Sequence, residues 1–187
     1  MGIDGKLFLF LCYGDLRDLH PIFVHFPVAL ITLFALFEIL PLEKKFGKMY
    51  FISKFLFLCL GVLMSIPAYL SGGVAEEAIE HGPLHDVVEL HAFFAGATMV
   101  VAIVLLVIYK LRFALEYPET LVGRCIVRYV PGRVLEHLRP LTARGFAVFL
   151  ALALLVLITV TGALGGSMVY GPGVDPIAKM LYKVFGL

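Results

Sequence analysis

Residues 20–40 read HPIFVHFPVALITLFALFEIL, a stretch whose one carboxylate, Glu38, falls near its far end. A bilayer core about 30 Å thick needs about 20 apolar residues per helix, so this run predicts a membrane span from Pro21 to Leu40. Three further runs share the property. The second extends from Met49 to Val74 with Lys54 near its start, the third begins near Leu84 and is uncharged from Leu90 to Tyr109, and the fourth covers Gly145 to Gly166. Only helices or closed barrels satisfy their backbone inside lipid, and runs of this length predict helices. The expected fold is all-α: an integral membrane four-helix up-and-down bundle. Of 187 residues, 61% are hydrophobic and 16% charged, which does not describe a soluble domain. A net charge of +1 leaves no basic surplus for nucleic acid. Cys12, Cys59 and Cys125 stand far apart, which excludes a redox pair, a zinc ribbon, covalent haem attachment and a disulfide framework.

Loop charges orient the bundle, because Lys and Arg are retained on the cytoplasmic side. Eleven of the 15 basic residues fall in or beside the connections after spans one and three, among them Lys44, Lys45, Arg112, Arg139 and Arg144. The segment from Gly72 to Glu89 carries five acids and no Lys or Arg. Both termini are therefore expected on the periplasmic side of a bacterial inner membrane. Residues 1–19 read as an interfacial stretch with short interfacial character rather than a signal peptide, because Asp4 precedes the apolar run and no small-x-small cleavage pattern follows. Residues 20–170 form the four-helix domain. In residues 171–187, Ile177, Met180, Leu181, Val184 and Phe185 recur at helical spacing opposite Lys179 and Lys183, which predicts an interfacial helix.

Five of the six histidines gather at the two span starts on the outer side: His20 and His25, then His81, His85 and His91. His137 stands alone in the basic loop. A histidine within a span is costly and calls for a partner. His20 before Pro21, and His85 in the first turn of span three, can be satisfied as caps or at the interface. His25 and His91 lie about 7 and 12 Å inside their spans at 1.5 Å rise per residue. They are the expected pair of axial ligands for one haem b, an iron held between two imidazoles from two helices. A flat macrocycle needs small neighbours, and Ala29, Ala95, Gly72 and Gly166 supply them. His20, His85 and Tyr170 would meet haem propionates or an incoming partner. Two haems are disfavoured, since outer and inner ligand pairs would sit only about 8 Å apart along the axis. A zinc or copper site from His81, His85 and Glu89 is the rival chemistry.

The run Leu19 to Ala29, with its HP-x-x-VHFP-x-A pattern, and the closing run Gly162 to Val174, with G-x-x-GG-x-x-VY-x-x-GV, resemble a bacterial membrane-protein family known as domain of unknown function 2231. His91, Ala92 and Gly96 resemble its central segment. The resemblance implies a four-helix membrane domain of a kind that also occurs joined to cytochrome c-like or Rieske-like modules, and so points toward electron transfer. No such module is recognisable in these 187 residues, so the expected partner is a separate periplasmic redox protein, a cytochrome c or an iron-sulfur protein, with other subunits of a membrane complex as further neighbours.

The leading expectation is a b-type cytochrome-like subunit carrying electrons between the quinone pool and that partner, with a quinone as a second ligand. A haem-free anchor or assembly subunit, and a periplasm-facing metal-binding protein, are the alternatives. Transport is disfavoured because no charged residue is expected deep in the bundle. No nucleophile-base pair or phosphate loop predicts substrate chemistry.

Overall fold

The structure is a computed structural model that describes residues 5–77, 82–120, 123–124, 128 and 132–187. Its helices are α1 (Gly5–Ile39), α2 (Glu43–Glu77), α3 (His85–Glu116), α4 (Gly132–Leu138), α5 (Arg144–Tyr170) and α6 (Pro176–Phe185), with a 3-10 turn at Arg139–Thr142 between α4 and α5. Among the described residues there is no strand. Four of the helices, α1 from Leu19 onward, α2, α3 and α5, are long and apolar enough to cross a membrane. The protein is an all-α membrane bundle.

The four spans were legible from length and hydropathy, but their ends differ in instructive ways. Span one was expected to start at Pro21. Instead α1 begins at Gly5 and runs through Pro21 and Pro27 without interruption. Each proline lacks an N–H and so frees one carbonyl four residues earlier, a loss that membrane helices tolerate. The stretch expected to be interfacial is thus helical from Gly5 and continuous with the span. In α2 the backbone breaks at Gly47 (φ 55°, ψ −137°), a left-handed conformation that glycine adopts without a Cβ penalty. The break separates the short turn holding Glu43 from the membrane-crossing part of the helix.

α1 lies along α2 and α5, and α3 lies along the same two helices, so α1 and α3 stand diagonally. The large apolar core occupies one half of the bundle. It is built from Ile31 and Phe34 of α1, Phe51 and Leu58 of α2, Leu105 and Tyr109 of α3, and Leu154 and Ile158 of α5. Toward the other end the α1/α2 seam narrows to small or polar buried residues, Ala68 and Ser71. The contact is closest at Gly61, where an added Cβ would stand 2.7 Å from Ile31 Cγ1. The α2 stripe of small residues is therefore a packing seam over this part of its length. The corresponding stripe on α5 is different: Thr159 and Gly162 are exposed, and nothing lies within 4 Å of a Cβ built at Gly166.

α6 follows from local chemistry. Asp175 Oδ1 accepts from the N–H groups of Ile177 (2.7 Å) and Ala178 (2.8 Å), and Pro176 occupies the first helical position. Gly186 closes the helix at φ 71°. Ala178 and Leu181 pack on Val87 of α3 and on Ala163 and Leu164 of α5. Met180, Val184 and Phe185 stay exposed, as suits a helix lying in the membrane interface.

Candidate functional site

At the histidine end, span one turns His20 rather than His25 toward its neighbouring helix. His20 is half-buried on α1, and its Nδ1 stands 2.9 Å from Ser71 Oγ of α2. Ser71 Oγ–H already donates to the Ala68 carbonyl at 3.0 Å, so the histidine is the donor and carries its proton on Nδ1. His91, half-buried on α3, donates from Nδ1 to the Thr161 carbonyl of α5 at 3.0 Å, which fixes the same tautomer. Neither Nε2 has a hydrogen-bond partner among the described residues.

Glycines hold both rings from the side. A Cβ at Gly72 would lie 3.1 Å from His20 Cε1, and one at Gly165 would lie 3.2 Å from His91 Cε1. The glycine against His91 is thus Gly165, whereas its neighbour Gly166, the one singled out by spacing, faces open space. Thr98, one of the small residues in line with His91, is buried and sits 3.5 Å from Thr161 Oγ1.

The remaining sequence candidates are peripheral to this pair. His25 is exposed, with its Nδ1 against the Pro21 carbonyl of its own helix, and Ala29 is exposed beside it. Five residues separate His20 from His25, a rotation of about 140° around the helix, so one of them faces α2 while the other cannot. Ala95 is half-buried, His85 is exposed at the start of α3, and Tyr170 is 78% exposed at the end of α5. His81 lies outside the described residues, and with it the expected trio with His85 and Glu89. Among the described residues no group of three or more His, Cys, Asp or Glu side chains converges as a metal site. His137 is exposed, with Nδ1 2.7 Å from the Arg133 carbonyl.

Two imidazoles tied through Nδ1 and free at Nε2 are a donor pair suited to a metal centre that needs one ligand from each side. The hydrogen bond at Nδ1 fixes ring orientation and raises the basicity of the free nitrogen. Gly72 and Gly165 make room for the imidazoles themselves, since a Cβ at either would meet the ring atoms of His20 or His91.

The opposite end holds a cluster that contradicts the expectation of a bundle without internal charge. Glu38 of α1 and Lys54 of α2 are both fully buried, with Lys54 Nζ 2.5 Å from Glu38 Oε2. Lys54 also donates to Glu43, and Tyr109 of α3 donates to Glu38. Arg112 of α3 approaches Glu38 at 3.6 Å and Glu43 at 4.0 Å, and Arg144 of α5 approaches Glu43 at 3.8 Å. All four spans thus contribute to one ionic cluster. Glu38 and Lys54 were visible near the ends of their spans, but hydropathy along one helix does not show that they meet across two. The readable signal was an acid closing span one and a base opening span two at matching depth.

With the geometry in hand, the chain's relationships can be stated. The sequence pattern of a family described as predicted membrane protein (DUF2231) matches residues 17–176. The chain belongs to that family. No curated protein and no solved structure is detectably similar to it.

Proposed function

We propose that the protein is a b-type cytochrome-like membrane subunit that passes electrons between the quinone pool and a redox partner at the histidine end. The observation that supports this reading is that His20 and His91 are half-buried with each Nδ1 engaged by a neighbouring helix, whereas His25 is exposed and bonded only within its own helix. These two residues, on diagonal helices, would hold one haem b. When bound, the haem supplies a reversible one-electron couple, and two imidazole ligands leave no open position for substrate. The chain's own residues do the rest. Ser71 and the Thr161 carbonyl orient the rings, and Gly72 and Gly165 keep side chains away from their edges. His25, His85 and Tyr170, exposed at the same end, are positioned to meet a partner such as a cytochrome c or an iron-sulfur protein. The basic connections support an inner-membrane location with the histidine end toward the periplasm.

The test is a visible spectrum of purified protein, oxidised and then reduced. The wild type is expected to show the sharp bands of low-spin haem. His20→Ala and His91→Ala should each lose them, while His25→Ala keeps them. Loss in His25→Ala with retention in His20→Ala would assign the ligand pair as His25 and His91 instead. A colourless wild type from haem-supplied cells, or full absorbance in both His20→Ala and His91→Ala, would end the electron-carrier reading and leave an anchor or assembly subunit.

A further inference from the structure

The ionic cluster at the basic end is short of negative charge. Two carboxylates, Glu38 and Glu43, face three cations, Lys54, Arg112 and Arg144. Lys54 takes the short contacts to both carboxylates. Arg112 is left with distances of 3.6 and 4.0 Å, beyond hydrogen bonding, and its guanidinium makes no hydrogen bond to any described residue. Its side chain is nonetheless only 14% exposed, and its Nη1 is fully buried without a hydrogen bond, 3.6 Å from Glu38 Oε1, which likewise accepts none. A guanidinium carries five N–H donors in a planar fork, and desolvating it without acceptors is expensive. The rings of Phe51 and Tyr109, 5.6 and 5.2 Å away, compensate the charge in part but offer no acceptor in the plane of the fork.

Arg112 also lines a cavity of about 240 Å³ together with Leu115, Glu116, Arg139 and Thr142. That volume equals about eight water molecules at their share of liquid. The 3-10 turn that bears Arg139 and Thr142 packs against α3 and α5, so the cavity is closed on one side by the bundle itself. Two arginines line it against one carboxylate, Glu116, which is exposed and also accepts from the Tyr117 hydroxyl at 3.3 Å, while the Thr142 hydroxyl donates to the Arg139 carbonyl at 2.7 Å.

We propose that this cavity is a binding site for a phosphate group, with Arg112 and Arg139 as the charged donors. Arginine forks match phosphate oxygens in pairs, and an added anion would balance the surplus cation of the cluster. Leu115 and the position at the end of the spans suit the phosphate of an anionic lipid headgroup, and a free phosphate ion presents the same chemistry. The site stands independently of any haem at the other end.

Native mass spectrometry of the purified 187-residue chain tests it, using phosphatidylglycerol and phosphatidylcholine with identical acyl chains. The wild type is expected to retain phosphatidylglycerol preferentially. Arg139→Gln should weaken that retention by roughly tenfold. Arg133→Gln, on exposed α4, should leave it unaltered. In a parallel arm without lipid, sodium phosphate should raise the melting temperature of the wild type but not of Arg139→Gln if the natural ligand is the free ion. Equal retention of the two lipids together with no phosphate-dependent stabilisation overturns the site. So does an equal loss in Arg133→Gln and Arg139→Gln, which would mean attraction by loop charge in general. Arg112 itself is left intact, because its removal disturbs the ionic cluster.

Discussion

His20 and Ser71 are joined across the α1/α2 seam by a 2.9 Å hydrogen bond in which the imidazole is the donor. The serine would act on Nε2, the nitrogen proposed to hold the haem, without touching it, by keeping the proton on the opposite side of the ring. Ser71→Ala removes the acceptor and lets the ring turn or change tautomer. Losing such a support typically costs 10–100-fold in metal affinity, so haem retention by Ser71→Ala should fall by roughly tenfold or more. Ser71→Thr keeps the hydroxyl and should retain most of the pigment. Haem titration of the apoprotein checks the pair, and equal affinity of Ser71→Ala and wild type would show that the bond plays no part.

Gly165 and Gly166 make a built-in comparison. A methyl at residue 165 would stand 3.2 Å from His91 Cε1 and 3.6 Å from Nδ1, so the ring must yield by a few tenths of an ångström. A methyl at residue 166 meets nothing within 4 Å. Gly165→Ala is expected to broaden or shift the low-spin bands of the reduced protein, and Gly166→Ala to leave them in place. If the two variants give indistinguishable spectra, His91 is not held from that side.

How far the sequence discloses this site depends on the kind of helix involved. Span length and the Asp175-Pro176 cap are local properties and are legible at once. Which histidine of span one faces inward is not, because that helix is apolar all round and has no stripe to fix its rotation. Periodicity gives the angle of about 140° between His20 and His25 but not the phase of either. The phase is set by contacts between helices: Ile31 against Gly61, and His20 against Gly72. Depth favoured His25 because Pro21 was read as the helix start, and the extension of α1 back to Gly5 removes that reason.

The Glu38–Lys54 pair predicts an asymmetry between single and double replacement. Both side chains are fully buried, and Lys54→Met leaves the Glu38 carboxylate with the Tyr109 hydroxyl and the more distant Arg112. Breaking a buried pair costs about 3–5 kcal/mol, and the lower end is expected here because Arg112 remains. Lys54→Met with Glu38→Gln removes the stranded charge and should recover at least half of the loss. Equilibrium unfolding in mixed micelles measures both. A double variant as unstable as the sum of its parts would mean that the two residues act separately.

Gly61→Ala tests the seam that sets the rotation of α1. The added methyl would lie 2.7 Å from Ile31 Cγ1, and 3.4 Å from both the Ile31 backbone nitrogen and Leu30 Cβ. Ile31 is 2% exposed and β-branched, so its χ1 has little freedom to carry Cγ1 away, and the helices themselves must part. Overpacking of this kind costs about 1–3 kcal/mol. Ile31→Ala deletes the obstructing atom but leaves a cavity, at a cost of about 2–5 kcal/mol by itself. In the double variant the new methyl enters the space that Ile31 vacates, so the combined loss should fall short of the sum by 1 kcal/mol or more, as expected for residues in contact. Strict additivity in the same unfolding measurement would place Gly61 and Ile31 out of contact, and the inward phase of His20, about three turns further along α1 at 3.6 residues per turn, would lose its structural cause.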